Sequence, residues 1–550
     1  MAMNYARHYQ TQVTPQTQKI PNTAQVPNNA GGFVWAVDDW KRLDRFLILG
    51  TEGGTYYVGE RELTVSNAEA VVRCILSDGV RVVNRLVEIS EAGRAPKNDP
   101  ALFVLAMCAK MGDEPTRKAA LGAVGQVARI GTHLFHFVEY ITAFKGVGGG
   151  KWNRSMRTAF SKWYTDKSVS DLAYQVVKYQ SRDKWSHRDI LRLCHVQPTS
   201  DAVQNMFKWI VKRDEWEQSD VTPKTIVGFE KAKVATTEKE IVALIKEYQL
   251  PREAIPTTFL NSKIVWESML PTMGLTAIIR NLGKMSAIEL IKPMSKAAAF
   301  IVSQLTNPEL IKKSRLHPMS ILIAMRQYGA GKGLRGSLEW TVNSNVMNAL
   351  DEAFYLAFGN VTTTGKRVML ALDVSGSMAD AYIGNSTLSA RDASAAMAMV
   401  IARTEPQHCV TIFSTGGDKV MTSSNGGFTR SAIGYYDITP RQRLDDVIDK
   451  VRNLPFNGTD CSLPMLFALK EKLEIDTFII FTDSETYAGN IHPSQALQDY
   501  RRKMGLNSKL IVVAMTSNGF TIADPNDSGM LDVVGFDTAT PNLITDFMGE

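Results

Sequence analysis

From Asn67 to about Phe358, apolar residues recur at spacings of three and four, which is the period of one buried helix face. The segments 68–76, 79–90, 101–111, 116–128, 134–144, 152–164, 172–179, 189–194, 202–211 and 240–248 each show it, as do 276–282, 286–291 and 345–358. Short polar or proline-containing breaks divide them, as at Ala95-Pro96-Lys97-Asn98-Asp99-Pro100. Many short helices with short connections predict stacked helical hairpins. No strict sequence period accompanies them, so any repeats are degenerate, of HEAT or armadillo type.

At 359–365 the helical period stops, and from Lys366 apolar runs alternate with amphipathic stretches. Strands are predicted at 368–372, 409–413, 477–481 and 510–514, and helices at 390–403, 444–454, 463–473, 493–504 and 542–548. That alternation predicts a doubly wound parallel sheet. Three regions follow: a flexible tail over 1–31, rich in Gln, Thr, Asn and Pro; an all-α module over 32–360; and an α/β module over 361–550.

Composition adds a charge asymmetry. The chain has 550 residues and a formal net charge of +6. Residues 361–550 hold 16 Lys and Arg against 22 Asp and Glu, which leaves 46 against 34 in residues 1–360. The helical module is therefore basic, as a module that meets a polyanion would be, and the α/β module is acidic. No apolar run is long enough to span a membrane. The five cysteines (Cys74, Cys108, Cys194, Cys409, Cys461) are scattered without metal or redox spacing. That pattern, with no apolar leader, predicts a reducing cytoplasm.

The sharpest chemistry lies where the run Val368-Met369-Leu370-Ala371-Leu372 ends in Asp373-Val374-Ser375-Gly376-Ser377-Met378. Open parallel sheets gather ligands at the carboxyl ends of their strands. Two hydroxyls and a carboxylate at one such end are hard oxygen donors, suited to Mg²⁺ or a similar divalent ion. Thr459, in Asn457-Gly458-Thr459-Asp460, and Asp483, after Phe478-Ile479-Ile480-Phe481, extend the set. Asp373, Ser375, Ser377, Thr459 and Asp483 together resemble the metal-ion-dependent adhesion site of von Willebrand factor A domains. The resemblance implies one divalent ion, held partly through water, with one position open to a partner's acid. Ser, Thr and Asp also serve as helix caps and strand-end turns, the alternative reading of the same residues.

In the basic module, Trp152, Met156, Ala159, Phe160 and Trp163 share one face of a helix, with Arg154 and Arg157 opposite and Lys151 and Lys162 flanking. The glycine-rich loop 146–150 precedes it. This arginine face reads either as a contact for RNA phosphates or as a solvated surface. In Trp185-Ser186-His187-Arg188-Asp189, Ser186 and Asp189 have capping-box spacing, which puts His187 and Arg188 in a first helical turn. Positive charge there opposes the helix dipole but suits a bound anion. Arg315 and His317, and Lys332 and Arg335 in Gly329-Ala330-Gly331-Lys332-Gly333-Leu334-Arg335-Gly336, add basic groups; the latter stretch lacks P-loop spacing. His133 and His136, three apart in an apolar helix, have the spacing of metal ligands, but without an acidic or cysteine partner nearby in sequence they read as packed histidines.

Several motifs in order make a more specific resemblance. They are Gly53-Gly54-Thr55-Tyr56-Tyr57, Trp185-Ser186-His187-Arg188-Asp189, Arg280-Asn281-Leu282-Gly283-Lys284-Met285, His317-Pro318, Gly333-Leu334-Arg335-Gly336 and Asp373-Val374-Ser375-Gly376-Ser377-Met378. This chain resembles the Ro autoantigen family, in which a TROVE module precedes a von Willebrand A domain, and its long tail is more like bacterial members. The resemblance implies a HEAT-like helical ring and a non-enzymatic, monomeric RNA-binding protein of RNA quality control. It implies Y RNA on the outer surface, with His187 on that surface, and single-stranded 3′ ends of misfolded noncoding RNA in a central hole. It implies a Y RNA that tethers an exoribonuclease, polynucleotide phosphorylase.

Two other functions are open to the same residues. One is a protein-interaction scaffold that docks a partner's acid through the metal, with no direct RNA role. The other is a metal-dependent hydrolase, against which stands the lack of a second metal cluster or a nucleophile–base pair in the sequence.

Overall fold

The computed structural model describes residues 13–50, 68–144, 152–333, 337–359, 361–383, 388–414, 420–421, 428–429, 432–454, 458–516 and 518–550. They fall into two compact units: residues 71–316 with 320–353, and residues up to 70 with 317–319 and 354–550.

The first unit is helical. Side chains at the helix starts define many of its boundaries: Asp113, Asn153, Ser168, Ser186, Ser200 and Thr237 each accept a backbone N–H three residues on. The helix Asp99–Met111 is buried on nearly every side, and it packs against Glu114–Gly122 and Gly131–Ala143. A helix apolar all round belongs at the centre of its unit. The two helices expected at 68–76 and 79–90 form within Glu69–Ala92, separated by a kink at Asp78 (φ −156°, ψ 80°). The break seats Gly79 against Thr116, where a Cβ would lie 2.3 Å from the threonine hydroxyl.

Helices at Lys224–Val234, Lys263–Met269, Lys296–Leu305, Pro308–Ser314 and Pro318–Gly329 were not expected from the sequence. The first shows why. Its Gly228 weakens the helical pattern, yet the glycine lets Tyr248 of the neighbouring helix Glu238–Tyr248 approach: a Cβ there would be 2.5 Å from the tyrosine ring. The helix expected at 286–291 does not form, because Leu275–Ala287 ends there.

The second unit holds a six-stranded sheet in the order Met530–Val534, Lys509–Ala514, Thr477–Thr482, Val368–Asp373, His408–Phe413, Ile433–Tyr435. All neighbours are parallel except Ile433–Tyr435, which runs antiparallel on the edge. The strands Val368–Asp373 and Thr477–Thr482 are buried throughout, as expected for a sheet covered on both faces. The two edge strands, Ile433–Tyr435 and Met530–Val534, were not anticipated; they are partly exposed and carry no continuous apolar run.

Of the expected flexible tail over 1–31, the described residues 13–31 need correction. Residues 13–49 fold with the α/β unit. Val26–Pro27 pairs with Phe33–Ala36, which pairs with Phe520–Thr521 to make a small antiparallel sheet. The helix Asp39–Leu49 follows, and its buried Arg45 donates to Asn518 Oδ1 at 2.9 Å and to both oxygens of Asp532 at 2.8 and 2.7 Å. Polar composition predicts disorder only when the chain has nothing to bond to, and here the glutamines and asparagines bond to loops of the sheet unit. Among the described residues no helix is long and apolar enough to cross a membrane, and all five cysteines are free thiols.

Candidate metal centre and nucleic-acid interface

Because Val368–Asp373 and Thr477–Thr482 are adjacent parallel strands, their carboxyl ends lie side by side. This brings the two distant acids together. Asp373 is fully buried; its Oδ1 accepts the Ser375 N–H at 2.9 Å and its Oδ2 accepts the Thr482 hydroxyl at 2.7 Å. The Ser375 and Ser377 hydroxyls are 3.1 Å apart and both buried. Asp483 Oδ1 accepts the Glu485 N–H at 3.1 Å, whereas its buried Oδ2 has no hydrogen-bond partner among the described residues. Thr459 is buried, and its carbonyl accepts the N–H groups of Tyr487 and Ala488 at 3.2 and 3.1 Å, tying its loop to the one after Asp483.

The electrostatics match the geometry. Burial raises the Asp373 carboxyl, against the lowering effect of Ser375, Thr482 and Arg391. Burial, then the charges of Asp373 and Glu485, push Asp483 up to about 8. Two acids confined at neighbouring strand ends, one with an unsatisfied oxygen, cost free energy unless a proton or a cation neutralises them. The donor set of two carboxylates and hydroxyls fits a hard divalent ion. Ser484, next in sequence, has a left-handed φ of 61°, a strained backbone of the kind concentrated at ligand sites.

Arg391 was missed by the sequence reading. Buried in Ala390–Thr404, its guanidinium donates to the Val374 carbonyl at 2.6 Å and the Ser375 carbonyl at 2.9 Å. It fixes the Asp-x-Ser-x-Ser turn from behind. Its place in an alanine-rich buried helix is the only sequence signal: a charge amid apolar residues needs buried partners.

In the helical unit, Trp152 and Trp185 rings lie 5.4 Å apart and bring together the starts of two helices, Arg154–Thr165 and His187–Cys194. Asn153 caps the first by accepting the Met156 N–H at 2.9 Å. Ser186 and Asp189 form the expected capping box on the second. Arg154, Arg157 and Arg188 are exposed on these first turns. Two neighbouring helix starts with exposed guanidinium groups are suited to phosphate. Arg182 and Lys184, exposed on the tight hairpin that leads into Ser186, add charge the sequence reading did not single out. Their signal was the charged run Arg182-Asp183-Lys184 directly ahead of the cap; Asp183 and Lys184 both take positive φ, although neither is glycine.

His187 departs from expectation. It is 3% exposed, its ring stacks on Trp163 at 5.9 Å and lies 4.8 Å from Phe135, and Nδ1 bonds the Tyr164 hydroxyl at 2.9 Å. Burial lowers it to about 3, so it is neutral at physiological pH. The expectation of an exposed, charged His187 beside Arg188 is corrected: the imidazole is a core group that anchors the turn presenting Arg188. His317 is likewise buried, and its Nδ1 accepts the Met319 N–H at 3.1 Å at the start of Pro318–Gly329, so it too is no surface base. Arg315 and Lys332 are exposed as expected. Lys151, Arg335, the 146–150 loop and the Gly53–Tyr57 motif lie outside the described residues. His133 is packed, as read, with burial lowering it to about 3. His136, contrary to the reading, has acidic partners: Asp183, and Asp99 at 3.6 Å. The Gly283 of Arg280-Asn281-Leu282-Gly283 makes room for Trp340, whose ring would lie 2.8 Å from a Cβ.

A helical array followed by a sheet with Asp-x-Ser-x-Ser at a central strand end defines a TROVE module joined to a von Willebrand A domain. The TROVE domain model matches residues 26–328 and the Ro60 vWA domain model matches residues 367–548. The chain belongs to the Ro60 family. It is 40% identical over 523 residues to the RNA-binding protein RO60 of Deinococcus radiodurans, covering 94% of each chain. It is 36% identical over 594 aligned positions to the RNA-binding protein RO60 of Caenorhabditis elegans, covering 94% of this chain and 89% of that one. The crystal structure of the Deinococcus radiodurans Ro (RSR) protein superposes with a TM-score of 0.68 at 38% identity, covering 93% of this chain and 99% of that chain.

Proposed function

We propose that this chain is a non-enzymatic RNA-binding protein of the cytoplasm that acts in RNA quality control and decay. Structured small noncoding RNA of the Y RNA class binds an outer surface that includes Arg154, Arg157 and Arg188, with Arg315, Lys332, Lys151 and Arg335 adding charge. Single-stranded 3′ ends of misfolded noncoding RNA enter a central hole of the helical module. A Y RNA tethers an exoribonuclease of the polynucleotide phosphorylase type. The observation that carries this reading is the pair of capped helix starts, joined by Trp152 and Trp185, with exposed arginines on both. Two relatives that match over 94% of the chain and bear the name RNA-binding protein support it. Crosslinking in cells, purification under denaturing conditions and sequencing should recover small hairpin RNAs and RNAs with unpaired 3′ tails. Recovery of protein partners without nuclease-sensitive RNA would contradict it and favour the scaffold reading.

Asp373, Ser375, Ser377, Thr459 and Asp483 would hold one Mg²⁺-like ion, with the orphaned Asp483 Oδ2 as a ready ligand. When bound, such an ion offers an open coordination position to an acidic side chain of a partner. Burial and the charges of Asp373 and Glu485 raise the Asp483 carboxyl, which must lose its proton to ligate, so affinity should rise with pH. Isothermal titration of MgCl₂ at alkaline pH should show one site in the wild type and none in Asp373→Ala. The same isotherm in both would contradict the assignment.

A further inference from the structure

Residues 13–36 end their course on the two loops that carry Thr459 and Asp483. Gln16 is fully buried there and uses every polar atom it has. Its Nε2 donates to Asp460 Oδ1 at 2.7 Å and to the Ile491 carbonyl at 2.9 Å. Its Oε1 accepts the Thr486 hydroxyl at 2.5 Å and the Gly489 N–H at 3.2 Å. Its own N–H donates to the Gly489 carbonyl at 2.9 Å, and its carbonyl accepts the Phe33 N–H at 2.8 Å. One side chain thus joins the loop at Asp460, next to Thr459, to the loop that leaves Asp483.

The contact continues along the segment. Asn28 Nδ2 donates to the Thr486 carbonyl at 2.7 Å. Asn29 binds the Glu485 carboxylate twice, with N–H to Oε2 at 3.0 Å and Nδ2 to Oε1 at 2.7 Å, and the Ala30 N–H adds a third bond at 3.2 Å. Glu485 is two residues from Asp483, and these donors hold its carboxylate. Both sides of the contact have glycine where nothing larger fits. A Cβ on Gly32 would lie 1.9 Å from the Thr486 carbonyl oxygen, and one on Gly489 would lie 2.3 Å from Gln16 Nε2 and 2.4 Å from Asp460 Oδ1. A second route runs from the helix that follows: Arg45 bonds Asn518, which donates to the Asp483 carbonyl.

We infer that the N-terminal segment is a clasp on the metal centre: Gln16 and Asn29 are positioning residues that set the spacing of the Thr459 and Asp483 loops and hence the affinity for a divalent cation. The inference rests on the metal reading above. Groups that orient ligands from behind typically change metal affinity by about 10–100-fold when removed. A bond network with every atom satisfied holds its ends in one geometry, and losing the amide frees both loops.

The test uses the full chain and MgCl₂ alone. Titration calorimetry on wild type, Asp373→Ala, Gln16→Ala and Asn29→Ala is paired with melting curves in chelator and in saturating MgCl₂. The inference expects Gln16→Ala and Asn29→Ala to weaken Mg²⁺ binding about tenfold or more, and to shrink the rise in Tm that Mg²⁺ gives. A purely structural role would lower Tm equally with and without the ion and leave the affinity unchanged, which overturns the inference. If Gln16→Ala does not fold, Asn29→Ala, which leaves the Gln16 network intact, decides alone. Binding in the wild type and in both clasp variants, lost only in Asp373→Ala, overturns the clasp and keeps the metal site. No site in the wild type overturns both.

Discussion

His187 sits where the sequence announces a surface cap and the fold makes a core. The capping box of Ser186 and Asp189 is local, and it reads correctly from four residues. Burial of His187 is not local: Phe135 and Trp163 come from two other helices. A serine in place of this imidazole would leave a cavity among aromatic rings, costing about 2 kcal/mol or more. Arg188, exposed one residue on, should tolerate replacement within about 0.5 kcal/mol. Urea denaturation of His187→Ser and Arg188→Glu checks the contrast; equal stability of the two would contradict the burial. The pH dependence has a definite sign. His187 falls from its ordinary value of 6.5 to about 3 on folding, so in that window the unfolded chain binds a proton that the folded chain does not. Its stabilising contribution is complete above pH 6.5 and is lost as pH falls toward 3, at up to about 1.4 kcal/mol per pH unit. His187→Phe should flatten the decline in stability between pH 6 and about 4 relative to wild type. An unchanged slope would show that the imidazole is charged in the fold.

At the scale of elements, apolar period was enough for much of the fold. The four central strands and most helices fall within a few residues of their expected places. It missed Lys296–Leu305, although Ala297, Ala298, Ile301 and Leu305 share its buried face, and it missed a helix held by one special contact. Lys224–Val234 carries Gly228 to seat Tyr248, so its weak pattern is the cost of close packing. The N-terminal segment is polar because its glutamines and asparagines replace water for loop carbonyls and carboxylates, which composition alone reads as disorder. All five candidate cation-site positions were named from the sequence, and the adjacent parallel strands that lead to Asp373 and Asp483 bring those two acids together. Arg391 was not, since nothing local shows that its partners are the carbonyls of Val374 and Ser375. The helix Asp39–Leu49 gives a direct test. Arg45 and Asp532 are both almost fully buried, at 2.7 Å. Removing the arginine strands a buried carboxylate, so Arg45→Ala should cost about 3–5 kcal/mol. Replacing both partners, as in Arg45→Met with Asp532→Leu, should recover much of that loss. Chemical denaturation of the two variants measures it, and an equally unstable double variant would contradict the account.

For the whole molecule, the division of charge agrees with a division of labour. The excess of 46 basic over 34 acidic residues lies in residues 1–360, while the acidic remainder contains Asp373 and Asp483, the carboxylates of the proposed cation site. Helix starts and exposed arginines offer phosphate contacts that carry no base information, which suits recognition of a folded RNA by its shape. Such contacts release counterions, so affinity should fall steeply with salt. Each lost phosphate contact should reduce the slope of log affinity against log salt by about 0.7–0.9. The most direct measurement is equilibrium binding of one small hairpin RNA across a series of KCl concentrations, for wild type and for Arg154→Glu with Arg188→Glu. Circular dichroism first establishes that the variant is folded. The account predicts tight, salt-dependent binding by the wild type, and in the variant an affinity at least tenfold weaker with a shallower salt slope. Equal affinity and equal slope for the two proteins would contradict it.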